Sequence, residues 1–166
     1  MENALPRPPI LKLDAVDLRL LRILQADANL PLADLAEQVG LSPTPCWRRI
    51  HKLESAGVIR RRVALLDRKL LNANVTVFIA VRTNKHSADW LEQFARAVRD
   101  IPEIVDFYRM SGEIDYLLKA LVPDIAAYDQ VYRKLISKIE LSDVTSMFAM
   151  EEMKSTTEIP LGFAAS

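Results

Sequence analysis

Apolar residues in the first sixty positions recur at spacings of three and four; in the second half the pattern switches to alternation. Val16, Leu20, Ile23 and Leu24 share one face of a helix that opens at Leu13–Asp17 and fades near Ala26–Asn29. Asp14 is placed to accept from the free amides of its first turn, Asp17 adds negative charge at the positive end of the dipole, and Arg19 and Arg22 lie off the apolar face. A second, short helix over Pro31–Val39 carries Leu32, Leu35, Ala36 and Val39. It begins on a proline, whose missing N–H would have had no partner there, and stops at Gly40, where a left-handed residue is easiest. Only Leu41 separates that stop from Ser42, which caps a third helix running to about Ala56. A short helix, a tight turn and a longer helix form a helix-turn-helix.

The third helix carries the most chemistry. Pro43 and Pro45 fall in its first turn, where neither forfeits a helical hydrogen bond. Cys46, Ile50 and Leu53 form the inward stripe, and a cysteine there reads as a small core residue. Thr44, Trp47, Arg48, His51, Lys52 and Ser55 project elsewhere. Cations on such a face neutralise phosphates and Arg pairs bidentately with guanine, so the helix suits a DNA major groove. The alternative is a surface helix with ordinary cationic decoration; the two-proline start and the short preceding turn favour DNA. Beyond Gly57, Val58–Leu66 is β-prone, a strand leaving the winged end of this domain. Its triplet Arg60, Arg61 and Arg62 either meets the DNA backbone or guards an edge strand against aggregation.

Val75, Val77, Ile79 and Val81 alternate with Thr76, Phe78, Ala80 and Arg82, which predicts a strand. Ser87 caps a helix bearing Trp90, Leu91, Phe94, Ala95 and Val98. Ile104–Met110 is a second strand, Ser111-Gly112-Glu113 a turn, and Tyr116–Val122 a third strand. Asp124 caps a helix with Ile125, Tyr128, Val131, Tyr132 and Leu135, and Val144–Glu152 is the last strand. The order βαββαβ is ferredoxin-like. The fold class is therefore α+β: an N-terminal winged helix-turn-helix followed by a ferredoxin-like domain. The divisions are an arm over 1–12 read as disordered, a DNA-binding domain with linker strand over 13–66, the second domain over 67–161 and a tail over 162–166.

Half of the 166 residues are apolar, only four are Gly, and 22 basic residues balance 22 acidic ones, which excludes disordered and collagen-like classes. A single Cys leaves no intramolecular disulfide, consistent with a cytoplasmic setting. The twelve uncharged residues Leu70–Val81 are too few for a bilayer, which needs ~20. The arm, with Pro6, Pro8 and Pro9, has no signal-peptide core. Neutrality hides a division, however. Ser42–Lys69 holds eight Lys/Arg against two acids, and Asp100–Glu158 six against twelve. A charge run is usually a solvated face, yet this asymmetry fits two domains of which only one meets phosphate.

Over nearly all of Leu13–Leu161 the chain resembles the Lrp/AsnC family, the feast/famine transcription regulators. The likeness rests on Leu35-Ala36…Val39-Gly40-Leu41-Ser42-Pro43, on Arg49…Leu53-Glu54…Gly57-Val58-Ile59, on Gly112–Tyr116, and on Thr156-Thr157…Ile159-Pro160-Leu161. It implies a recognition helix over Ser42–Ala56, with Ser42, Thr44, Pro45, Trp47, Arg48, Arg49, His51 and Lys52 as DNA-binding residues beside Arg60, Arg61 and Arg62. It also implies a ferredoxin-like domain that binds a small effector, usually an amino acid, and dimers that assemble further, commonly to octamers on the nucleoid. The effector loop, Gly-Asp-Tyr-Asp in the family, falls on Gly112, Glu113, Ile114 and Asp115, with Glu113 and Ile114 departing from the pattern. Pro31 likewise replaces the usual Ser/Thr cap. Thr145, Ser146 and Met147 match a stretch that lines the effector region from a neighbouring subunit.

Physical chemistry supports the same loop. Gly112 lets backbone amides approach a ligand carboxylate, Asp115 can accept from a ligand ammonium, and Tyr108 and Met110 can line an apolar side-chain slot, with Ser111 a further effector-binding candidate. The bland alternatives are a hairpin glycine and a turn-capping aspartate. Thr44–Arg49 and Ser142–Glu151 are most similar to the branch answering to L-cysteine. No cofactor is expected. Two rivals stand beside the regulator: an architectural DNA-binding protein blind to effectors, and an enzyme akin to sirohaem decarboxylases. For the second, the chain offers only His51 and His86, no Cys pair and no clustered carboxylates.

Overall fold

A computed structural model describes residues 12–164; most of the proline-containing arm lies outside the described residues. Three helices come first, α1 (Ala15–Ala26), α2 (Leu32–Val39) and α3 (Pro43–Ser55). Asp14 starts α1 as a capping box: its carboxylate accepts from the amides of Val16 and Asp17 at 2.9 and 2.8 Å, and the Asp17 carboxylate accepts from the Asp14 amide at 3.3 Å. Pro31 stands one residue ahead of α2, at its cap, rather than inside it, and Gly40 closes that helix at φ +71°. Leu20, Leu35, Ala36, Val39, Cys46 and Ile50 pack into one buried cluster. Cys46 is fully enclosed, and burial pushes its thiol pKa up, so it is a core residue and not a thiolate.

The strand expected over Val58–Leu66 does not form. β-prone residues make a strand only where a ladder partner is present. Here none is, and Val63, Leu65 and Leu66 remain exposed. The helical domain, as described, is three helices without a paired wing.

The second half contains β1 (Val75–Arg82), α4 (Ala88–Arg99), β2 (Ile104–Arg109), β3 (Tyr116–Val122), α5 (Ile125–Lys138) and β4 (Asp143–Phe148). The sheet is antiparallel in the order β2-β3-β1-β4, as the βαββαβ pattern predicts. Strand β4 ends well short of the expected Glu152. Phe148 is paired with Val77 near the start of β1, and after the Ala149 amide donates to the Thr76 carbonyl the ladder ends. Strand β2 likewise stops at Arg109, one residue early.

Period-two alternation sorts the sheet into two faces. Val77, Ile79, Val81, Tyr116, Leu118, Ala120 and Val122 meet Trp90, Phe94 and Val98 of α4 and Tyr128, Val131 and Leu135 of α5. Phe94 is the hub, with the rings of Trp90, Phe107 and Tyr116 5.1–5.2 Å away. The other face carries Phe78 and Ala80 of β1, Leu117, Lys119 and Leu121 of β3, Tyr108 of β2, and Thr145 and Met147 of β4.

The chain divides into two compact units. One holds residues up to 64 together with the segment from Lys154 onward, and the other spans Leu65–Met153. Within the first, Gln25 and Ile159 exchange two hydrogen bonds of 3.1 and 3.0 Å, which tie the late segment to α1.

Candidate functional site

Two neighbouring arginines on α3 have different fates. Arg49 turns inward, and its guanidinium donates to Asp14 at 2.6 Å and to Asp17 at 2.7 Å. Asp17 is almost fully buried, so this is a clamp between the start of α1 and the middle of α3. The amide of Asp17 and the Arg49 guanidinium hold the Asp14 carboxyl below its ordinary range. Arg49, expected among the DNA-binding residues, is thus engaged within the fold, where it fixes α3 against the start of α1. Sequence reading missed the clamp because Asp14 and Asp17 lie more than thirty residues from Arg49 and account for themselves as helix-start charges.

Arg48 is exposed and makes no ion pair with a described residue. Thr44, Pro45, Trp47, His51 and Lys52 are exposed with it, off the buried stripe of Cys46, Ile50 and Leu53. The Trp47 and His51 rings are stacked, with centroids 5.2 Å apart and planes 5° from parallel. Ser42 occupies the cap position of α3, but its side chain makes no capping bond. Pro45 at the third helical position has no N–H for that oxygen to accept, so the hydroxyl stays exposed and without a capping donor. Arg60 and Arg61 are exposed in the extended segment, while Arg62 is drawn back, donating to Glu54 at 3.1 Å. A shallow cavity of about 280 Å³ lies beside Trp47 and His51, lined by Leu24, Leu30, Leu32, Leu35, Ile50, Glu54 and Arg62.

The β2–β3 loop holds Ser111, Gly112, Glu113, Ile114 and Asp115. Gly112 adopts φ +111°, a backbone that disfavours any side chain. Asp115 is tied into the turn three ways. Its carboxylate accepts from the Thr83 amide at 2.8 Å, its amide donates to the Val81 carbonyl at 3.0 Å, and its carbonyl accepts from the Met110 amide at 2.8 Å. Its carboxylate is thus partly spent on the end of β1, with one oxygen left for a ligand. Glu113 is almost fully exposed, 3.8 Å from Arg82. Tyr108 and Met110 stand exposed beside the loop.

Thr145–Met147 lie on β4, the far edge of the sheet from β2. Strands β3 and β1 lie between β2 and β4 in the sheet. Ser146 also points the other way from its neighbours: its hydroxyl bonds the phenol of Tyr128, buried under α5, whereas Thr145 and Met147 sit on the uncovered face. A cavity of about 400 Å³ in this unit is lined by Tyr132, Ile136, Ile139, Glu140, Leu141, Ser142, Asp143 and Val144, none of them an expected effector residue.

This arrangement has close counterparts. The AsnC-type helix-turn-helix domain matches residues 13–54, and the Lrp/AsnC ligand binding domain matches 76–159. The chain belongs to the Lrp/AsnC family. The glutamate uptake regulatory protein of Zymomonas mobilis is 48% identical over 152 residues, covering 92% of this chain and 93% of that one. Among solved structures, an AsnC family transcriptional regulator from Agrobacterium tumefaciens is 59% identical with a TM-score of 0.89, over 91% of this chain and 99% of that one. A transcriptional regulator from Neisseria meningitidis, solved in complex with L-Met, is 39% identical with a TM-score of 0.86, over 91% and 98% of the two chains. The relatives named here are transcription regulators. His51 and His86, the two imidazoles of the enzyme rival, fall in separate compact units. Among the described residues no group of three or more His, Cys, Asp or Glu is placed to hold a metal ion. No described helix is long and apolar enough to cross a membrane.

Proposed function

We propose that this chain is a cytoplasmic, nucleoid-associated transcription regulator of amino-acid metabolism that binds double-stranded DNA and answers to an amino acid. The observation that carries the reading is the outward face of α3. Arg48, Lys52, Thr44, Trp47 and His51 are exposed on a helix clamped from behind by Arg49, in a domain matched by the family's helix-turn-helix. Two such helices in a dimer enter major grooves about one turn, ~10 bp, apart or a multiple of it. Ser42, Arg60 and Arg61 add contacts to the phosphate backbone.

The effector is an amino acid, with L-cysteine the specific candidate from the branch resemblance; the related Neisseria regulator holds L-Met. It binds where the loop 111–115 of one subunit meets Thr145 and Met147 of another, since β2 and β4 are opposite edges of a single sheet. Homodimers that assemble to octamers complete the site, and the apolar residues of the uncovered sheet face, Phe78, Leu117 and Leu121, support association. The ligand shifts DNA binding only by preferring one state of the assembly, with a coupling of ~1–3 kcal/mol. The enzyme alternative would rest on His51 and His86, which fall in separate compact units, and the effector-blind alternative differs in one observable.

The test is an anisotropy titration of the full chain on DNA upstream of its own and neighbouring genes, with and without an equimolar mixture of the twenty amino acids. Salt-sensitive binding that the mixture shifts about five- to 150-fold is the expected result. Specific binding unmoved by the mixture overturns the effector reading, and absence of specific binding overturns both.

A further inference from the structure

The entry end of α3 lacks what helix N-termini usually offer to phosphate. Pro43 and Pro45 have no N–H, so of the first three helical residues only Thr44 presents a backbone donor. What this end presents instead is apolar: two exposed prolines, then Trp47, an indole left 53% accessible on a face otherwise made of Thr, Arg, His and Lys. Together the two prolines and the indole make a small apolar patch in a cationic surface, which a partner with an apolar feature of its own would cover. Trp47 is also held in place. The imidazole of His51, one helical turn on, lies parallel to it at stacking distance, which fixes the indole before any partner arrives.

Resting on the DNA-binding reading above, we propose that Trp47 determines sequence specificity by covering thymine 5-methyl groups in the major groove, with His51 as its positioning residue. The chemistry of the groove selects this partner. The N-terminal residues of a recognition helix meet base edges, and the thymine methyl is the apolar feature that the four bases display there. Arg48, the next residue on the exposed side of α3, supplies the polar half of the readout through guanine. The preferred site then pairs one or more thymines with a guanine in each half-site.

The experiment begins by selecting duplexes from a random pool with the full chain. In the selected site each thymine is then replaced in turn by deoxyuridine, which deletes one methyl and alters nothing in the protein. At one or two positions per half-site the affinity should fall about fourfold, the ratio expected from leaving one methyl-sized group, worth ~0.8 kcal/mol, uncovered. Trp47→Ala should bind the thymine and deoxyuridine duplexes alike, and Trp47→Phe should keep part of the difference. Emission gives a second readout, because the other tryptophan, Trp90, is buried under the sheet. Binding should quench the fluorescence of the intact chain and leave that of Trp47→Phe nearly unchanged.

A selected site indifferent to every deoxyuridine substitution would overturn the inference while leaving the regulator reading standing. So would a Trp47→Ala variant that keeps the intact chain's methyl discrimination. Failure to enrich any sequence would overturn the regulator reading and this inference together.

Discussion

The helical unit and the sheet unit solve the same problem with different means. The sheet unit buries a fifteen-residue cluster around Phe94, and its ion pairs, such as Lys138–Asp100 and Lys85–Glu140, lie at the surface. The helical unit buries a six-residue cluster and adds a clamp in which Arg49 bridges Asp14 and the enclosed Asp17. A large core orients its helices by packing alone, whereas a small one gains direction from a charged pair with fixed geometry. The functional surfaces differ accordingly. One lies on the back of a single clamped helix and is complete in one chain. The other, as proposed, combines the 111–115 loop after β2 with β4 at the opposite edge of the sheet.

The contrast can be broken at its strongest point first. Phe94→Ala removes a fully buried ring that touches three others, and should cost the sheet unit about 3–5 kcal/mol, read as an earlier unfolding transition. A loss under about 1 kcal/mol would mean that the core is not organised around this ring.

Arg49→Ala comes next. It strands the buried Asp17 carboxylate, and because Arg49 is itself one-third exposed the loss should be near the lower end for such pairs, about 2 kcal/mol, confined to the helical unit. Denaturant unfolding followed by Trp47 emission would show it. An unshifted midpoint would contradict the clamp.

Acid probes the same pairing more gently. The Asp14 pKa is lowered by the Asp17 amide and by Arg49, so its contribution is fully present above the ordinary carboxylate value of about 4. It is lost as the pH falls through the lowered folded value. Asp14→Asn should therefore weaken the helical unit at neutral pH and flatten its stability profile below about pH 4; an unchanged profile would contradict the assignment.

The outward face of α3 was legible because a period of 3.6 separates Cys46, Ile50 and Leu53 from everything else on the helix, and composition does the rest. The division of labour between Arg48 and Arg49 was not, since it depends on α1 arriving beside one of them. Strands β1 and β3 were readable to the residue, being central and buried on one face. Residues 58–66 looked equally β-prone but have no ladder, and pairing is a property of the neighbour. Ser146 shows the same limit: alternation separates it from Thr145 and Met147, yet only the fold reveals the Tyr128 hydroxyl that claims it. Asp115 matched the family loop and, at the same time, the bland reading of a turn cap. The structure gives it the turn and leaves one oxygen over.

Helix α3 is divided: Arg49 serves the fold, and in the proposed function Arg48 serves DNA. The most direct test is the salt dependence of DNA affinity for the intact chain and for Arg48→Ala on the same duplex. If Arg48 neutralises a phosphate or stands in the groove, the variant binds more weakly, and the slope of log affinity against log salt falls by about 0.9 for each phosphate that is no longer neutralised. Equal affinity and an equal slope would contradict the account.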